Sequence, residues 1–151
     1  MRIASLLLVS SLAGCTPGAP PAGNGSVAAA AVTIDVSLTA SVVAATAYGS
    51  SGGYMPAVTN VALGQTVRFV NVDSFAHTAT SLGDLLSFPQ ASPFDASALR
   101  ASGTALSGRW TSGALAAGNA SPPLLADRPG IYLYGCFFHY PAPMRAAIVV
   151  R

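Results

Sequence analysis

Gly130-Ile131-Tyr132-Leu133-Tyr134-Gly135-Cys136-Phe137-Phe138-His139-Tyr140-Pro141-Ala142-Pro143-Met144 is the stretch from which the fold is read. It sets a thiol, an imidazole and a thioether within nine residues, directly after an apolar, β-prone run. Soft sulfur ligands with imidazole suit copper, and two His, one Cys and a weak axial Met form an electron-transfer ligand set. The chain holds two histidines, so the missing imidazole has one candidate, His77. The expected constellation is His77, Cys136, His139 and Met144 around one copper ion.

Outward from that stretch, composition bounds the rest. A chain of 151 residues has room for one domain plus an appendage. Net charge is +2, with no basic cluster, which excludes an electrostatic footprint on nucleic acid. Lys and Glu are absent, so surface chemistry rests on Arg, Asp, Ser, Thr and Asn.

The start reads as a targeting signal: Arg2 is its charged region, Ile3 to Leu12 its apolar region, and small residues follow. The apolar run is too short for a bilayer span, which needs about 20 residues. Leu12-Ala13-Gly14-Cys15 resembles the lipobox of bacterial lipoproteins, which implies cleavage before Cys15 and lipid attachment to it. The plainer alternative is an ordinary secretory signal with an incidental Cys15. Several acyl chains on one cysteine anchor stably, whereas one chain binds only marginally. The expected division is a signal peptide over 1–14, a Pro/Gly/Ala-rich tether over 15–31 and one domain over 32–151. The domain then carries a lone thiol, Cys136, which cannot form an internal disulfide.

From Val32 the pattern has period two. Val32, Ile34, Val36 and Leu38 alternate with polar residues, as in a half-buried strand. A Gly/Ser-rich break follows at 49–53. Next come Tyr54 to Val61, with Pro56 disturbing its start, then Thr66 to Val70 and a short strand at His77 to Thr80. In Thr66 to Asn71, the residues Val67, Phe69 and Asn71 share one face and Arg68 takes the other. Ser92-Pro93-Phe94-Asp95 predicts a capped helix start, with Arg100 and Gly103 near its end. Leu124-Leu125, Ile131 to Gly135 and Arg145 to Val150 complete a strand-rich domain, which argues for an all-β sandwich.

Taken together, Phe69-x-Asn71-x-Asp73-x-x-x-His77-Thr78, Ser112-Gly113-x-Leu115-x-x-Gly118 and Gly130-x-Tyr132-x-Tyr134-x-Cys136-x-x-His139-x4-Met144 resemble the cupredoxin family, nearest its plastocyanin-like branch. The resemblance implies a Greek-key β-sandwich with one short helix in the long loop before the ligand-bearing strands. It also implies a type 1 copper ion on His77, Cys136, His139 and Met144. Thr78 would donate its N–H to the Cys136 sulfur, and Asn71 would tie the His77 loop to the Cys136 loop or else form a plain Asx turn. Tyr132 should point inward with its hydroxyl on a backbone partner.

Three departures stand out. Gly135 replaces a tyrosine that often precedes the ligand cysteine, so electrons are expected to pass by His139, rimmed by Tyr140, Pro141, Ala142 and Pro143. Phe138 replaces a proline and keeps an N–H for the sulfur. The stretch between Thr80 and Trp110 is long, and either it or a partner is expected to cover the outward-facing Ile131 and Leu133. The functional expectation is a monomeric, non-enzymatic electron carrier of the cell envelope. It would be lipid-anchored on the extracytoplasmic side and would dock redox proteins near His139. The alternative is a protein that sequesters or delivers copper.

Overall fold

A computed structural model describes residues 30–151. The signal, Cys15 and all but the end of the tether lie outside the described residues. The alternation from Val32 yields β1 (Val32–Val36), in which Ile34 and Val36 are buried and Thr33 and Asp35 face solvent. The strands that follow are β2 (Ala44–Thr46), β3 (Gly49–Ser51), β4 (Tyr54–Met55), β5 (Val58–Val61) and β6 (Thr66–Asn71). After them come β7 (Thr80–Ser81), β8 (Leu124–Leu125), β9 (Gly130–Gly135) and β10 (Arg145–Val150). In β6, Val67, Phe69 and Asn71 are buried and Arg68 is exposed, as the pattern requires.

Two four-stranded sheets form the sandwich, in the orders β4-β1-β6-β8 and β5-β10-β9-β7. β1 runs parallel to β6 with Val32 opposite Val67 and Val36 opposite Asn71. β9 and β10 are antiparallel from Gly135↔Arg145 to Gly130↔Val150, so the Cys136–Met144 loop connects them at one end of the sandwich. The fold is all-β, as expected. Its core holds Ile34, Val36, Val67, Phe69, Tyr134 and Ile148 between the sheets. Phe69 stacks on Trp110 at 5.6 Å, and Tyr54 meets Tyr134 edge-on at 4.7 Å, which adds directional contacts to apolar burial.

Several local expectations need correction. The Gly/Ser stretch read as a break is strand β3, paired with β2 in a hairpin whose turn uses Gly49 at φ +113°. Pairing of backbone, not side-chain pattern, makes that strand. The strand expected from His77 narrows to β7, with His77 held by a single bridge to Leu115. The expected helix is one 3-10 turn, Ala96–Leu99, capped by Asp95, whose carboxylate accepts the Ser97 N–H at 2.8 Å. It starts later than Ser92 suggested, because Phe94 is drawn edge-on against Tyr140 at 5.6 Å.

The long insert does fold over the outer face of β9. Leu133 is buried with Leu82, Tyr140 and Ala147, and Phe88 and Phe94 pack on them. Ile131 escapes this cover and is 46% exposed. Tyr132 is half-buried and donates its hydroxyl to Arg128 O at 2.7 Å, the expected backbone partner.

Candidate metal centre

Three donors meet where β9 ends. Cys136 Sγ lies 3.8 Å from His77 Nδ1 and 3.7 Å from His139 Nδ1. The three ligand atoms fall within 4.8 Å of one another. Two donors that share one first-row metal ion at about 2.0–2.3 Å each lie no more than about 4.6 Å apart, and both sulfur–imidazole separations meet that limit. His77 and Cys136 are buried, whereas His139 is half-buried.

Backbone hydrogen bonds set each position. The Cys136 N–H donates to Met144 O at 3.0 Å, and the Ala142 and Met144 N–H groups donate to His139 O at 2.9 and 3.3 Å. These bonds close the loop on itself. His77 exchanges both backbone bonds with Leu115, at 3.1 and 2.7 Å. That contact explains the Leu115 motif, which anchors the histidine loop from the side.

Thr78 makes the predicted contact, its N–H reaching Cys136 Sγ at 3.4 Å. It does more: its Oγ1 accepts the Phe137 N–H at 2.9 Å, and its carbonyl accepts the Tyr54 hydroxyl at 2.5 Å. Thr78 therefore makes the tie between the two loops that was expected of Asn71. Asn71 instead donates from Nδ2 to Phe75 O and Leu115 O, both at 2.8 Å, because its strand faces the Leu115 segment.

Two residues carry roles the sequence reading missed. Asp73 places Oδ2 2.8 Å from His77 Nε2, which leaves Nδ1 turned toward the sulfur. A carboxylate on the far ring nitrogen fixes tautomer and orientation in metal-ligating histidines generally. Ser37, Thr39 and the Leu38 N–H hold that carboxylate in turn. Phe75 packs at 4.8 Å from the His77 ring and 5.5 Å from the His139 ring, wedged against both. An acid four residues before a histidine is visible in the sequence; the partners that bury it are not.

Met144 is fully buried and lies against Gly53. A Cβ on Gly53 would sit 2.2 Å from Met144 Cγ and 3.1 Å from its sulfur, and Gly53 has φ +76°. The thioether thus depends on a glycine in the turn before β4. Gly135 has a similar reason: a Cβ there would lie 2.7 Å from the Tyr140 ring. Tyr140 is not part of an exposed rim. It is buried, with its hydroxyl on Pro89 O at 3.0 Å, and so occupies the space beside Gly135. The exposed surface around His139 is made by Pro141 and Ala142 with Phe75 and Phe138.

Burial raises the Cys136 thiol pKa, and N–H groups of Thr78, His139 and Phe138 offset this only in part. Burial, then the nearby His77, lowers that of His139, which favours the neutral, ligating form of its imidazole. Removing one of the N–H groups is a direct test. Phe138→Pro should lower the reduction potential of the copper-loaded protein, because a sulfur with fewer donors favours the oxidised metal. Redox titration checks this, and an unchanged or raised potential would refute it.

An all-β sandwich that buries a thiol between two imidazoles at one end defines a recognisable architecture. Neither a protein-family model nor a curated protein sequence matches the chain. Among solved structures, a reduced amicyanin mutant is similar at TM-score 0.51 and 17% identity, covering 83% of this chain and 87% of that one. A second amicyanin mutant, in its reduced Cu(I) form at pH 4, gives the same TM-score, identity and coverage, 0.51, 17%, 83% and 87%. A purple cupredoxin from Nitrosopumilus maritimus aligns at 20% identity and TM-score 0.47, over 80% of this chain and 99% of its own. The chain has the cupredoxin fold.

Proposed function

We propose that this chain is a type 1 copper protein of the cell envelope, lipid-anchored on the extracytoplasmic side, that passes single electrons between redox partners. The observation that carries the reading is the convergence of Cys136 Sγ with His77 Nδ1 and His139 Nδ1 at 3.8 and 3.7 Å, with the sulfur and His77 buried. Met144 is assigned as the weak axial ligand. Copper held there supplies one-electron redox chemistry. The chain's own part is to keep the donors from moving. Two sheets, the Leu115 bridge and the closed Cys136–Met144 loop fix them on rigid elements, which favours fast electron exchange. The exposed Phe75 and Phe138 beside His139 offer the small apolar face that a transient redox encounter needs.

The test is a visible spectrum of the copper-loaded protein. A carrier is intensely blue and is reduced reversibly with its copper retained. A protein that sequesters or delivers the metal gives up Cu(I) to a competing acceptor instead. A colourless product after loading would sink the reading.

Loading should also depend on pH in one direction. The raised Cys136 pKa means that the free protein holds the thiol proton, and binding to the thiolate must release it. Affinity for Cu(II) is expected to fall about tenfold per unit as pH drops below the thiol pKa, with one proton released per ion. Competition titration at several pH values, with proton release followed in weak buffer, checks this. A flat profile would mean that the sulfur is not a ligand.

A further inference from the structure

We infer that the end of the sandwich opposite His139 rests on the lipid bilayer, through Leu85, Leu86 and Ile131. The inference builds on the anchored reading above and adds an orientation to it. Leu86 is 86% exposed, Ile131 46% and Leu85 45%. All three line one shallow cavity of about 220 Å³, with Leu106 and Tyr132 beside them. Such a cluster of exposed apolar side chains marks an interaction surface.

Its place in the fold is defined by strand register. Ile131 lies four residues before Gly135 on β9, about 13 Å from the metal end at strand rise. Val32, where the anchored segment enters the domain, pairs with Val67 at the β6 end remote from Asn71. Leu125 pairs with the adjacent Thr66, and the Leu106 N–H donates to Leu125 O, which joins the entry point to the leucine cluster. Leu125 and Leu63 are themselves exposed at this end. The chain's tether and its second apolar face therefore share one pole, and the His139 face takes the other.

Chain length makes the bilayer the occupant. Sixteen residues separate Cys15 from Val32 and can span at most about 58 Å. A short link of this kind turns docking into an intramolecular event at an effective concentration on the order of millimolar, so a weak patch suffices. The flanks suit an interface: Tyr132 offers a ring with a polar tip, and the Arg109 guanidinium lies beside Gly83. Arg109 and Arg128 are offset by Asp84 and Asp127, so apolar contact rather than lipid charge is the attraction. Docked this way, the domain presents His139 away from the membrane, toward partners in solution.

The test uses the full, lipid-processed chain reconstituted on phosphatidylcholine vesicles, followed by amide hydrogen exchange. Leu86→Asp is the comparison; at 86% exposure that side chain contributes little to the fold. Exchange across residues 83–86 and 130–132 should be at least fivefold slower in the parent than in the variant, with residues 137–143 equal in both. Equal exchange in two vesicle-bound proteins overturns the orientation alone. So does protection that falls on 137–143, or protection that follows protein density, as a second copy would give. Protein that elutes free of vesicles overturns the anchor, and the orientation with it.

Discussion

Gly53→Ala is expected to destabilise the domain and to displace Met144. Two costs combine. Gly53 has φ +76°, a conformation that costs an L side chain about 1–2 kcal/mol. The new methyl would also lie 2.2 Å from Met144 Cγ, inside a fully packed core where overpacking costs about 1–3 kcal/mol. The sum, about 2–5 kcal/mol, is a large part of a typical domain's stability. Gly64→Ala is the matched control, since Gly64 has φ +83° but nothing within 4 Å of a new Cβ. Denaturant unfolding of the metal-free proteins should show a clearly larger loss for Gly53→Ala. The copper-loaded spectrum should change for that variant only. Equal losses would mean that Met144 moves aside freely and that Gly53 does not position it.

Asp73→Ala should be costly for a different reason. The carboxylate is buried and accepts from Ser37, Thr39, the Leu38 N–H and His77 Nε2. Removing the acceptor leaves these buried donors unpaired, which costs about 1–3 kcal/mol for each unsatisfied group. His77 also loses the contact that aims Nδ1 at the sulfur, so copper affinity should fall along with stability. Asp73→Asn keeps the shape and part of the bonding, and should lose less of both.

The same residue sets an acid limit. Burial alone would raise its pKa, but the bonds from Thr39, Ser37, His77 and Leu38 outweigh that and hold it well below the usual carboxylate range. A group with a depressed folded pKa binds its proton first in the unfolded chain. Its stabilisation is therefore present above about pH 4 and is lost as pH falls through the lower, folded value. Unfolding of the metal-free parent should show this acid slope, and Asp73→Ala should flatten it. An unchanged slope would place the acid sensitivity elsewhere.

How much of this was legible depended on whether the signal was local. The period-two patterns of Val32 to Val36 and Thr66 to Asn71 report burial directly, because a strand faces two environments in alternation. The Cys136 loop was legible because three donor types crowd a short segment. The hairpin of β2 and β3 was hidden, since glycine and serine carry no face. Tyr140 misled for the opposite reason: in a turn, side-chain direction follows no period, and this ring swings inward to Pro89. Asp73 stood in plain view, but its meaning came from Ser37 and Thr39, which lie far upstream and reach it only once β1 pairs with β6.

The donors themselves are scattered. Two of them are 59 positions apart, brought together across the docked sheets. Cys136, His139 and Met144 already share one short segment, so the docked sheets have only to bring in His77, and the complete set exists in the folded domain. An ion held more tightly by the folded domain than by the unfolded chain deepens, with each increment in its free concentration, the energy well that holds the sandwich shut. Kept free of the ion, the same sandwich should be the more fragile molecule.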